Sequence, residues 1–155
     1  MKKIINSGET NLLKRFIRFF QKSPLRVAYL LESTELWGGV KVVFRQVESL
    51  QKIGYNAVVI CQQTYPNWLN SGIGFVQQDP FDIEIGRNYD VLITTGFKLT
   101  SFHNQHQSKA KLIHLCQGYE GEFKEAEPIL KEIEASYNLQ IPRFVITDKL
   151  LNLMK

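Results

Sequence analysis

The chain has 155 residues, 44% of them hydrophobic and 22% charged, a composition ordinary for one globular domain long enough to bury a core. No run approaches the roughly 18 consecutive apolar residues that span a bilayer, and the N-terminus lacks the continuous apolar region and cleavage site of a signal peptide. The net charge of +4 is uneven: residues 1–26 carry seven Lys/Arg against one Glu, and the remainder 12 against 14. That is a basic extension on a slightly acidic domain, which argues against nucleic acid as a partner.

Residues 1–24 form the extension. Within Leu12–Lys22, the residues Leu12, Leu13, Phe16, Ile17, Phe19 and Phe20 share one helical arc, and Lys14, Arg15, Arg18 and Lys22 the opposite one. Such a basic amphipathic helix suits an anionic membrane surface, and equally suits packing against protein. Pro24 ends it.

From residue 25 to 155 the pattern alternates between strands and helices. Arg26–Leu31 is a two-sided apolar run, as in a strand buried in a parallel sheet. A loop ending in Gly38 and Gly39 leads to a helix from about Val40 to Ile53, with Val40, Val43, Phe44, Val47 and Leu50 on one face and Gly54 as its stop. Asn56–Cys61 is a second strand. Residues 62–90 are irregular, with a weaker third strand at Gly74–Gln77. Asp90–Gly96, Lys111–Gly118 and Arg143–Asp148 are further strands; Glu122–Tyr137 is an acidic helix, and another starts at Lys149. This rhythm predicts a doubly wound, mainly parallel α/β sheet of Rossmann-like type, whose ligands bind at the carboxyl ends of the strands.

The candidate functional residues therefore follow the strands. Gly38 and Gly39 allow close backbone approach at a helix N-terminus, where an anion is favoured; a tight turn without a ligand is the plainer alternative. No G-x-G-x-x-G or P-loop pattern is present, and the second strand ends Cys61-Gln62-Gln63-Thr64 without an acidic residue for a ribose. Dinucleotide and P-loop chemistry are thereby disfavoured, and no cofactor or metal is expected. Thr95, Gly96, Gln117, Gly118, Tyr119 and Glu120 bring hydroxyl, amide and carboxylate groups to neighbouring strand ends, which suits a hydroxyl-rich ligand. Glu120 is the best-placed base or hydroxyl anchor, or else a cap for the acidic helix after it.

His114 reads as a core histidine, and His103 and His106 as surface or loop residues without a third metal ligand. Cys61 and Cys116 lie in apolar runs without metal spacing and read as reduced core residues, a disulfide being the lesser alternative; cytoplasm is the default compartment.

Three stretches carry a family resemblance. Arg26–Gln62, with Trp37-Gly38-Gly39-Val40 and Leu50-Gln51-Lys52-Ile53-Gly54-Tyr55, resembles the opening of the glycosyltransferase family 4 (group 1) enzymes. Lys111–Glu120, ending Gln117-Gly118-Tyr119-Glu120, is similar to the Gln-x-Tyr-Glu stretch of their rhamnosyltransferase-like members. Phe144–Leu151 resembles a strand and helix start where many members carry Ser. The resemblance implies the N-terminal, acceptor-side domain of a GT-B fold. It implies that Gly38 and Gly39 line the cleft near the donor phosphates or the reacting sugar, and that Gln117, where many members have His, and Glu120 face the acceptor or the transferred sugar. It further implies metal-free transfer from a nucleotide-sugar donor to a sugar acceptor, in glycan or lipid-linked glycan assembly at the cytoplasmic side. The family's second Rossmann domain supplies the donor pocket and a paired-glutamate motif; nothing here matches that motif, so the fragment alone is expected to be inactive. A non-catalytic Rossmann-like binding module is the alternative.

Overall fold

The computed structural model describes residues 24–70 and 72–153. The amphipathic segment Leu12–Lys22 and its membrane reading lie outside the described residues. Six parallel strands form one sheet: β1 (Arg26–Leu30), β2 (Asn56–Cys61), β3 (Phe75–Gln77), β4 (Val91–Thr94), β5 (Lys111–Cys116) and β6 (Arg143–Val145). Their spatial order is β3-β2-β1-β4-β5-β6, so the winding reverses between β1 and β4. That is the topology of a Rossmann-like α/β fold, and the crevice outside the β1/β4 carboxyl ends is its switch point.

The crossovers are helical. Helix α1 (Gly38–Lys52) joins β1 to β2, α2 (Ile85–Asn88) precedes β4, α3 (Phe97–Gln105) joins β4 to β5, and α4 (Leu130–Tyr137) precedes β6. Helix α5 (Asp148–Leu153) follows β6. Strand alternation splits the core in two. Val27, Tyr29 and Leu31 pack with Val43, Phe44 and Val47 of α1, whereas Ala28 and Leu30 pack with Ile60, Ile85, Leu92 and Leu99 on the other face. Both faces of β1 are covered, which is why it reads as a continuous apolar run.

Helix α1 starts two residues earlier than its periodicity suggests, because Gly38 and Gly39 form its first turn and not a loop before it. It stops in a Schellman motif: Gly54 takes φ +92°, its N–H bonds Gln51 O, and Tyr55 N–H bonds Leu50 O, both at 3.0 Å. The acidic stretch is not one helix. It comprises 3-10 segments at Glu120–Glu122 and Lys124–Ile129 and only then α4, because Pro128 has no N–H to donate. Helix α3 is absent from the periodicity because two of its buried positions are Thr100 and His103, which carry no apolar signal.

Candidate functional site

Three loops converge on the switch point. The loop after β1 is braced from the neighbouring strand: Thr34 N–H donates to Gln63 Oε1 at 2.7 Å, the Thr34 hydroxyl lies 3.0 Å from the same oxygen, and Trp68 Nε1–H donates to Thr34 O at 3.0 Å. Trp37 then caps α1 by backbone geometry alone, without a side-chain cap. The first turn of α1, whose leading N–H groups have no partner within the helix, carries no acidic residue.

Gln117, just beyond β5, reaches across to that turn, where its Nε2–H donates to Gly39 O at 3.1 Å. A side chain on Gly39 would overlap Gln117 Oε1, whereas one on Gly38 would meet open space. Gly39 is therefore the glycine of the pair whose missing side chain leaves room for the Gln117 carboxamide. The glycine pair and the Gln117 edge, read separately from the sequence, meet directly.

Glu120 has a different local role from the one expected of a cap. It does not cap the helix that follows it. Its Oε1 accepts from Phe97 N–H at 3.1 Å and so caps α3, entering from β5. Its Oε2 accepts the Tyr137 hydroxyl, which also lies 3.1 Å from Gly118 O. Burial, and then the Glu120 carboxylate, hold Tyr137 protonated well above the usual phenol range. Gly96 caps α3 by its backbone. A Cβ on Gly96 would stand 3.2 Å from Glu32 Oε1 and 3.8 Å from Glu120 Oε1, so two carboxylates border one point of the crevice. Glu32 was not singled out in the sequence; its signal was its place immediately after the β1 run.

Thr95 donates its hydroxyl to Leu30 O at 3.0 Å, tying β4 to β1. Tyr119 sets its ring edge-on to Tyr137 at 5.1 Å. With Gln117 and Gly118 it lines a cleft of about 140 Å³ whose other walls are Glu122, Thr147, Lys149 and Leu150.

The histidines divide differently from expectation. His106 is exposed, but His103 is buried to 1% exposure, with Nε2 2.8 Å from Pro80 O, because it faces the sheet from α3. Burial lowers its pKa. His114 is a core residue, 3.5 Å from Cys116 Sγ; burial and then the Arg143 charge push it down to about 4. Burial raises Cys116 to about 11. Cys61 and Cys116 are free and buried. Among the described residues, no three His, Cys, Asp or Glu side chains are grouped to hold a metal ion, and no helix is long and apolar enough to cross a membrane.

No family model matches the chain, and no curated protein matches it.

Proposed function

We propose that the chain is the acceptor-side half of a GT-B glycosyltransferase, which moves a sugar from a nucleotide-sugar donor to a glycan or lipid-linked acceptor. A second Rossmann domain would complete the site. The observation that carries this reading is the Gly39–Gln117 contact across the switch point, which joins a helix N-terminus without a side-chain cap to a loop of amide, aromatic and carboxylate groups. A helix N-terminus favours a phosphate, and the opposite loop offers partners for hydroxyls. The cleft of about 140 Å³ is well below the roughly 300–1,000 Å³ of a self-sufficient ligand pocket, consistent with a facing wall supplied by another domain. In this reading Gln117 orients a sugar hydroxyl and Glu120 is the carboxylate nearest the acceptor. The protein would act on the cytoplasmic side, with Leu12–Lys22 available for the membrane surface.

Release of nucleoside diphosphate from a panel of nucleotide sugars tests it. The chain alone is expected to stay at the uncatalysed rate, because closure by a facing domain must position the donor. The chain joined to a donor-binding Rossmann domain is expected to turn over. Turnover by the chain alone overturns the incomplete-enzyme reading, and silence of the joined protein with every donor overturns the transferase.

One observation favours a non-catalytic binding module instead. Both Glu120 oxygens are already engaged, by Phe97 N–H and by Tyr137. A carboxylate so committed serves as a cap, and in this second reading the crevice binds a ligand without transforming it.

A further inference from the structure

We propose that the exposed indole of Trp37 is a platform on which a neutral or amino-bearing sugar ring stacks, and that acidic sugars are rejected there. This inference rests on the reading of the switch-point crevice as a sugar-acceptor site and names the sugar class it takes. Trp37 is 64% exposed, yet it stands on a braced loop. Its Nε1–H donates to Glu35 Oε2 at 3.2 Å and its backbone N–H to Glu35 O at 2.8 Å. The Glu35 N–H is held in turn by Ser33 Oγ at 3.1 Å, and Thr34 is anchored to Gln63 and Trp68. The polar edge of the ring is thus satisfied within the loop while most of the residue's surface stays in water. A large aromatic side chain fixed in this way has little conformational freedom left to lose when a ligand covers it. A pyranose supplies a matching surface, with a C–H face to lie on the ring and a rim of hydroxyls that seek acceptors.

Position and charge select the sugar. Trp37 is two residues from Gly39, where Gln117 crosses the crevice. Glu35 stands against the indole itself and Glu32 and Glu120 border the crevice at Gly96, while Glu122 and Lys149 line the cleft beyond and Lys124 follows on the segment after β5. Carboxylates accept hydrogen bonds from hydroxyl and ammonium groups and repel another carboxylate. A uronic-acid chain would meet this repulsion, while a neutral or amino sugar would not.

The test titrates the intact chain with cello-, chitosan and oligogalacturonate tetramers, following its two tryptophan indole N–H signals by heteronuclear NMR. The Trp37 signal is assigned from its loss in Trp37→Phe. The neutral and amino tetramers are expected to move the Trp37 signal saturably and the uronate to leave it in place. By calorimetry, Trp37→Ala should weaken binding about tenfold, the scale of one aromatic contact, and Trp37→Phe less. Binding unchanged in Trp37→Ala, a uronate that binds tightest, or no saturable shift with any tetramer overturns the platform. Because no donor is present, failure here leaves the turnover test of the transferase untouched. Saturable stacking alongside a joined protein that never turns over removes the transferase but keeps the platform.

Discussion

The Gln117 carboxamide fills the space a side chain on Gly39 would need, and donates from Nε2 to the Gly39 carbonyl at 3.1 Å. Gly39→Ala must therefore push Gln117 aside and break that bond, a loss of about 1 kcal/mol. Alanine in a helical turn returns about 0.5–1 kcal/mol over glycine. The two terms nearly cancel, so urea denaturation should show a net change below about 1 kcal/mol. The double variant Gly39→Ala, Gln117→Ala should be more stable than the sum of its parts, since the clash is gone; strict additivity would mean that the contact is not formed in solution.

Tyr137 and Glu120 link α4 to the N-terminus of α3 through one carboxylate. Tyr137→Phe should cost about 1–2 kcal/mol, because the half-buried carboxylate loses its donor. Glu120→Ala should cost about 1 kcal/mol through the lost cap on Phe97 N–H. The pair should couple in a double-mutant cycle, while oligosaccharide binding should fall for Glu120→Ala and change little for Tyr137→Phe.

His114 gives the fold a pH dependence of known sign. Its folded pKa is about 4, below the ordinary value of 6.5, so the unfolded chain takes up the proton first as pH falls. Its contribution is fully present above pH 6.5 and is lost as pH drops toward 4. Between pH 7 and 5 the loss should be about 2 kcal/mol. His103, also lowered by burial, acts in the same direction. Comparing urea midpoints of the native chain and His114→Gln at both pH values isolates the term; equal pH slopes would refute it.

Phe44 is buried at the centre of the α1 face, with Trp68 edge-on at 5.6 Å and Tyr65 at 6.3 Å. Phe44→Ala should cost about 3–5 kcal/mol. Because Trp68 also holds Thr34, the damage should reach the loop that carries Trp37. Loss of dispersion of the Trp37 indole signal in this variant, before global unfolding, checks that link.

The sheet was legible wherever burial is two-sided. β1, β2, β4 and β5 announce themselves as apolar runs because both faces are covered, and α1 announces itself by its stripe and Gly54. The helix over Phe97–Gln105 did not, because Thr100 and His103 satisfy their polar atoms on backbone carbonyls, Gly96 O and Pro80 O, and so occupy core positions without an apolar signature. The acidic stretch reads as one continuous helix from its composition, whereas Pro128 falls within a 3-10 segment and α4 begins only after it. At the candidate site, the positions Gly39, Gln117 and Glu120 follow from the rule that ligands gather at strand ends. Their partners do not, because the Gln117–Gly39 bond spans 78 residues and the Glu120–Phe97 cap reaches back 23. Local patterning carries no information about pairings of that kind.

The two cysteines have a practical consequence. Cys61 ends β2, next to one edge strand, and Cys116 ends β5, next to the other. Both are buried with thiol pKa values raised by burial, so neither offers a reactive thiolate while its strand is in place. An alkylating reagent should therefore modify each only after its side of the sheet has come apart. Pulsed alkylation with peptide-resolved mass spectrometry would time the two openings independently. The native chain thus carries a clock at each end of its sheet, and the ratio of the two rates would tell which flank unravels first.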